Sequence, residues 1–374
     1  MSGIYLHIPF CKLACHYCDF HFSTTLKRKE EMIFSLNREL VLRKDVLASP
    51  IQNIYFGGGT PSMLSTDEIN GLIETIYENF TIVEDPEVTM EANPDDLSLG
   101  YLIALSKSKV NRLSIGIQSF NDADLMMMNR AHRSDESKKS IEMAKDLFDN
   151  INIDLIYGIP KMDLDGWKRN LDDFLTYNLP HLSAYALTIE PKTALKHFID
   201  KGKIKNVDDA DYEEQYRLLL EVMEKNNFIN YEFSNFGKEG FFSKNNLNYW
   251  MGGSYLGIGP SAHSFDGSRR IWNVRNNNHY IRSLSQDQLP SESESLTVNN
   301  RFNEQVMTAL RTMWGIPLET IEDRFGVAYK EYLVDQAKAS IGNDLMIIEN
   351  GFLKITGKGK YLSDGLISDL FLVD

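Results

Sequence analysis

Tyr5-Leu6-His7-Ile8-Pro9-Phe10-Cys11-Lys12-Leu13-Ala14-Cys15-His16-Tyr17-Cys18-Asp19-Phe20 holds all three cysteines of the 374-residue chain. Three thiols within eight residues, spaced Cys-x3-Cys-x2-Cys, have no distant partner and make a poor disulfide framework. They read as a metal or cluster site in a reducing compartment, so a cytoplasmic location is expected. Three thiolates on one short loop can hold three irons of a 4Fe–4S cluster and leave the fourth without a protein thiolate. On spacing alone, zinc held by the cysteines and one of His7, His16 or His21 stays open.

Gly3–Ile8, directly before the cysteines, reads as a strand. Further strand candidates are Ile51–Phe56, Glu87–Ala92, Arg112–Ile117, Ile151–Tyr157 and His181–Thr188. Helical stretches lie between them at Lys29–Leu47, Thr66–Asn79, Asp96–Ser106, Asp135–Phe148 and Asp165–Tyr177, with N-cap signals at Ser65 and Asp163. Such βα repetition predicts an α/β fold with parallel strands. Periodicity leaves open a doubly wound sheet or a barrel, complete or partial. In a barrel, the loops after the strands form the face that carries active sites. The cysteines sit on the first of those loops.

A helix is expected over Ala210–Asn226, then strand and loop from Phe228 to Arg282, then a polar linker at Gln286–Ser295. Beyond it, Phe302, Val306, Leu310 and Met313 share one helical face. Leu345–Glu349 and Phe352–Ile355 flank Asn350-Gly351, a strong hairpin signal. Helices followed by a hairpin suggest a small winged-helix-like module. Residues 302–374 carry 7 basic and 11 acidic side chains, so packing or lid duty is expected there and DNA binding is not. The whole chain has 39 basic and 53 acidic side chains, net −14, which also disfavours nucleic acid and anionic membrane. No run of 18 apolar residues predicts a transmembrane helix, and the first ten residues do not read as a secretory signal. Met126, Met127 and Met128 are expected to be core packing.

With an aromatic residue, Tyr17, before its last cysteine, the motif resembles the radical S-adenosylmethionine (SAM) superfamily. The prefix Tyr-x-His-Ile-Pro-Phe-Cys looks like the oxygen-independent coproporphyrinogen III oxidase family and its relatives, the HemW-type haem chaperones. The resemblance implies a partial (β/α)6 barrel over about residues 1–235, a connecting segment and linker over 236–295, and a helical/winged module over 296–374. It also implies that SAM chelates the open iron of a 4Fe–4S cluster held by Cys11, Cys15 and Cys18.

The strand ends supply the polar partners that SAM requires. Phe56-Gly57-Gly58-Gly59-Thr60-Pro61 follows the second strand, and its glycines let backbone approach a ligand. Gly58, Gly59 and Thr60 match the family's SAM-amino motif. Glu91 falls at a SAM-contacting position after the third strand. Gln118 and Arg130 resemble the family's SAM-binding pair, and arginine's planar fork suits a carboxylate. Asp154 sits among apolar neighbours and needs partners such as ribose hydroxyls. Ala186 offers backbone toward adenine, and Tyr5 and Tyr17 complete the set.

Two activities fit the resemblance. An oxidase would decarboxylate coproporphyrinogen through a 5′-deoxyadenosyl radical, with a flavodoxin or ferredoxin as reductant. A chaperone would bind haem and pass it to an acceptor protein. Three features favour the chaperone. Phe20 stands where the oxidases place a fourth cysteine. The first strand begins by residue 3, without the oxidases' longer N-terminal extension. Asn245-Asn246-Leu247-Asn248-Tyr249-Trp250 resembles the chaperones' His-Asn-x-x-Tyr-Trp run. Asn245 replaces the histidine of that run, and a carboxamide is a poor haem ligand. His263 is then the first candidate for the iron and His279 a weaker one. Asn246, Tyr249 and Trp250 remain candidates for flanking a porphyrin.

Overall fold

A computed structural model describes residues 2–373. In chain order, β1 (Ser2–Ile8) leads through the cysteine loop to α1 (Lys29–Leu42), β2 (Ile51–Gly58) to α2 (Thr66–Asn79), and β3 (Ile82–Ala92) to α3 (Leu99–Leu105). Next, β4 (Arg112–Gln118) leads to α4 (Asp122–Met127) and α5 (Ser134–Lys145), and β5 (Asn150–Tyr157) to α6 (Leu164–Thr176). Finally β6 (His181–Ala186) leads to α7 (Ala194–Asp200) and α8 (Asp209–Lys225). Both expected caps form: Ser65 and Glu68 make a capping box, and Asp163 accepts the Gly166 N–H at 2.7 Å. Strand six stops two residues short of the expected Thr188, and α1 five residues short of Leu47.

Strands β1 to β6 are parallel and lie side by side in chain order. A doubly wound sheet reverses its order part-way; this one does not, so the barrel alternative holds. β1 and β6 are not paired with each other, and the barrel stays open.

The two faces of these strands differ sharply. Ile4, Leu6, Ile8, Phe56, Met90, Ile115, Ile153 and Leu182 point into the helix layer and are buried. Alternate positions face the lumen. These are polar: Tyr5, His7, Tyr55, Glu91, Arg112, Ser114, Asn152, Asp154, His181 and Ser183. A closed (β/α)8 barrel fills this inner face with branched apolar side chains. Here the lumen is built to hold something polar.

Past α8, β7 (Ile229–Glu232) and β8 (Asn235–Gly237) extend the sheet beyond β6. Then come α9 (Lys244–Trp250), β9 (Ser254–Ile258), β10 (His263–Phe265), β11 (Arg269–Asn273), α10 (Asn277–Leu284) and β12 (Ser291–Ser295). β9 pairs in parallel with β1, and β10 to β12 continue antiparallel, completing a twelve-stranded sheet. Residues 236–295, expected as a connecting segment and linker, are therefore part of the sheet, and Leu256, Ile258 and Tyr280 join the main core. The polar stretch Gln286–Ser295 ends in an edge strand, Ser291-Glu292-Ser293-Glu294-Ser295. It has almost no buried face, so it lacks the apolar alternation by which strands are read. Its glutamates discourage further edge pairing.

The remainder comprises α11 (Val298–Ala309), β13 (Ile316–Pro317), α12 (Leu318–Phe325), α13 (Val327–Gly342), β14 (Met346–Glu349), β15 (Phe352–Ile355) and α14 (Ser363–Ser368). It has its own core around Phe302, Val306, Leu310, Leu333 and Leu353. Met313, expected on the same helix face, lies beyond α11 and is 41% exposed. Asn350 and Gly351 both take positive φ, 51° and 81°, as a tight hairpin turn requires. Of the three successive methionines, Met128 is buried and Met127 packs beside it, but Met126 is exposed. No helix among the described residues is long and apolar enough to cross a membrane.

Candidate functional site

The cysteine loop is tied down on two sides. The His16 N–H donates to Met128 O at 3.0 Å, and the Leu195 N–H to His16 O at 2.8 Å. Lys12 Nζ lies 2.6 Å from Asp95 and also pairs with Asp96. Cys11, Cys15 and Cys18 are half-buried and free. Thr60 Oγ1 donates to Cys11 Sγ and Arg130 Nη1 to Cys15 Sγ, both at 3.5 Å. Burial pushes the Cys18 thiol up to about 11 and raises Cys11 as well.

The neighbouring histidines are each held by hydrogen bonds of their rings. His7 Nε2 donates to His21 O at 2.7 Å, leaving Nδ1 to accept from Tyr5 at 3.4 Å. Burial lowers His7 to about 4, so it is neutral. His16 Nδ1 donates to Met127 O, and His21 Nε2 meets Asn277 Oδ1, both at 2.7 Å. Among the described residues no three His, Cys, Asp or Glu side chains converge on a single-ion site.

The glycine turn after β2 lies against the root of this loop. The Gly59 N–H donates to Ile8 O at 2.9 Å and the Thr60 N–H to Phe10 O at 2.6 Å. Gly58 has φ +102°, and a Cβ there would stand 2.4 Å from His7 Nδ1, so glycine is required. Asn93 Nδ2 reaches Thr60 Oγ1 at 3.4 Å, while Arg130 Nη2 donates to Asn93 Oδ1 at 2.6 Å and Gly116 O at 2.9 Å. One polar network thus joins the cysteines, Thr60 and Arg130. Deeper in the lumen, Tyr55 donates to Glu91 at 2.8 Å, and Asn152 to Asp154 at 2.7 Å. Enclosure raises both carboxyls, Glu91 to about 7 with Asp154 adding to the effect. Gln118 ends β4 at φ +67°. Ala186 is exposed at the end of β6. Tyr17 packs beside the apolar cluster of Leu125 and Met128, with Arg130 close by. Tyr5 stacks on Tyr55 with centroids 6.0 Å apart.

Sequence reading missed Tyr55, Asn93 and Arg112. Arg112 is 2% exposed in the lumen, and its Nε meets no acceptor among the described residues. Polar residues at every second position of apolar strands were the available signal.

A second feature opens between α9, β7, β8 and α11. α9 places the Lys244 and Asn245 N–H groups 2.9 and 3.4 Å from Glu87 Oε1, a carboxylate at a helix N-terminus. Its residues Asn245, Asn246, Tyr249 and Trp250 line a cavity of about 450 Å³ together with Tyr185, Glu232 and side chains of α11. His263 lines a separate cavity of about 400 Å³, with His7, His21 and Arg275. Tyr249 and Tyr255, centroids 4.4 Å apart, belong to both and partition them. Of the five candidates for a porphyrin site, Asn245, Asn246 and Trp250 thus line only the first cavity, His263 only the second, and Tyr249 both. His279 lines neither cavity.

The radical SAM superfamily model matches residues 5–174, and that of the HemN C-terminal domain residues 296–362. The haem chaperone HemW of Lactococcus lactis is 32% identical over 375 residues, covering 100% of this chain and 98% of the relative. That of Bacillus subtilis is 31% identical over 369 residues, 97% of each. The chain belongs to the HemW family of radical SAM proteins. Its fold is shared with the solved coproporphyrinogen III oxidase HemN of Escherichia coli, at TM-score 0.86 and 21% identity over 99% of this chain and 90% of that one. A radical SAM protein of the HemW family carries a 4Fe–4S cluster and SAM. The donor set here fits both: three free thiols, a close-approach glycine turn, and a guanidinium against the loop.

Proposed function

We propose that this HemW-family chain is a haem chaperone that holds SAM at its cluster and haem in the α9 cavity. Cys11, Cys15 and Cys18 would hold three irons. When bound, the cluster supplies an open iron for SAM and one electron. Gly58, Gly59, Thr60 and Arg130 would fix the amino-acid end of SAM, Arg130 through its fork. Glu91 and Asp154 would take hydroxyls and offset the sulfonium charge. Tyr5, Tyr17, Gln118 and Ala186 would close the walls. A flavodoxin or ferredoxin would be needed only for SAM cleavage. The setting would be cytoplasmic, with an acceptor protein taking the haem.

The observation that carries the haem reading is α9. The family's Asn-x-x-Tyr-Trp residues stand on this one helix and wall a cavity of ligand size. No imidazole lines it, so haem would sit there without a histidine from this wall. The oxidase reading has less support, because Phe20 replaces the fourth cysteine and is 69% exposed.

Anaerobically reconstituted protein should shift the Soret band on haem titration. It should release no protoporphyrinogen from coproporphyrinogen with SAM and reductant. Asn245→His should change the haem spectrum toward imidazole ligation. Porphyrinogen turnover without haem affinity would overturn the proposal.

A further inference from the structure

We infer that Arg301, on the C-terminal module, anchors a carboxylate of the ligand in the α9 cavity, with Arg324 as a second contact. The inference rests on the haem reading above and adds which groups of the ligand are read, and from which module.

Three arginines line this cavity in a chain of net charge −14. Two are already engaged. Arg270 pairs with Glu304 at 2.9 Å, and Arg324 Nη1 donates to Gln305 Oε1. Arg301 is different: this half-buried side chain has no hydrogen bond or ion pair on its guanidinium among the described residues, and its Nε, like that of Arg270, is buried without an acceptor. A buried unpaired donor is costly, and a charged one more so. Function is a sufficient reason to keep it.

The helix geometry aims it. Arg301, Glu304, Gln305 and Thr308 follow the i, i+3, i+4, i+7 pattern, so one stripe of α11 faces the cavity. The opposite stripe, Phe302, Val306 and Ala309, is buried in the module's core. Glu304 is held by Arg270 and so is not free to neutralise Arg301. The facing wall is aromatic, with Tyr249, Trp250, Tyr255 and Phe265. An aromatic wall opposite an unpaired guanidinium suits a flat ring with acidic side chains. Arginine's fork takes a carboxylate through two parallel hydrogen bonds. Haem, with two propionates, has this chemistry.

The test compares haem with haem dimethyl ester, which keeps ring and iron but has no free carboxylates. Wild-type protein should prefer haem. Arg301→Gln should weaken haem binding by about tenfold and leave the ester unchanged, so that the preference disappears. Arg301→Lys should restore part of it. Arg324→Gln, scored the same way, gives an independent reading should the first variant misfold by circular dichroism. Equal affinity of wild type for the two ligands, or full haem affinity in both glutamine variants, overturns the clamp while leaving haem binding intact. No Soret shift with either ligand in wild type overturns the clamp and the haem reading together.

Discussion

Glu91 shows what a polar lumen does to an ordinary side chain. Its carboxyl is raised to about 7 by enclosure, despite the Tyr55 hydrogen bond that pulls the other way. SAM brings a sulfonium and an ammonium, and a nearby positive charge favours the carboxylate. The pKa must therefore drop on binding, and binding below pH 7 must expel a proton. Affinity for SAM is expected to be level above pH 7 and to weaken toward pH 6, up to about tenfold per unit. Isothermal titration from pH 6 to 8.5 in buffers of different ionisation enthalpy reads both the slope and the proton. Glu91→Gln should flatten the profile; a wild-type profile already flat would remove Glu91 from the site. The position of Glu91 was legible because the family motif marks it. Its partner Tyr55 was not, because a tyrosine in an apolar strand looks like core until its face is known.

Among the elements, α1 does more than cover the sheet. Glu39 and Arg43 are 0% and 3% exposed and 2.7 Å apart. The carboxylate also accepts from Asn273 at 2.8 Å, Tyr280 at 2.5 Å and the Gly259 N–H at 2.9 Å. Every contact beyond Arg43 comes from residues 259–280. Glu39 thus locks α1 to the segment that reads as strand and loop in sequence. Gly259 in turn lies against β1, where a Cβ would stand 2.5 Å from His7 O, at the root of the cysteine loop. Removing one member of a buried pair costs about 3–5 kcal/mol because the other is left unpaired. Glu39→Gln is therefore expected to lower the unfolding free energy by that amount, read from denaturant titration, and Glu39→Gln with Arg43→Met to recover part of it. A single variant within about 1 kcal/mol of wild type would show that the lock contributes little. These long-range ties explain the uneven legibility of the elements. The first six strands announce themselves by apolar runs, and the Asn350-Gly351 hairpin by its turn residues. α9 and β12 did not, because one is placed by Glu87 across the lumen and the other pairs through backbone alone.

At the scale of the whole molecule, two cores meet along one seam. The main core runs under the twelve-stranded sheet, and the C-terminal core surrounds Phe302. The seam is held by Met313 N–H to Tyr231 O at 3.0 Å, by Arg270 with Glu304, and by Tyr361 to Asp209 O at 2.9 Å. The Glu232–Thr312 bridge, Lys360 with Asn230, and the apolar contacts of Phe233 and Phe242 with the C-terminal module add to them. The α9 cavity lies in this seam, with walls from both sides, whereas the residues proposed to hold SAM stand on the barrel side alone. A ligand that touches both sides adds its binding energy to docking; a ligand that touches one does not. At a hundredfold excess over Kd that linkage amounts to about 2.7 kcal/mol. Haem is therefore expected to slow amide exchange in residues 244–250 and 298–309 together, by up to about a hundredfold where undocking limits exchange. SAM is expected to protect the cysteine loop and the turn at residues 57–60 while leaving 298–309 unchanged. Hydrogen exchange read by mass spectrometry separates the two patterns. Should haem protect only the cysteine loop, the seam would not be its site, and the C-terminal module would be a lid over the SAM end of the lumen instead.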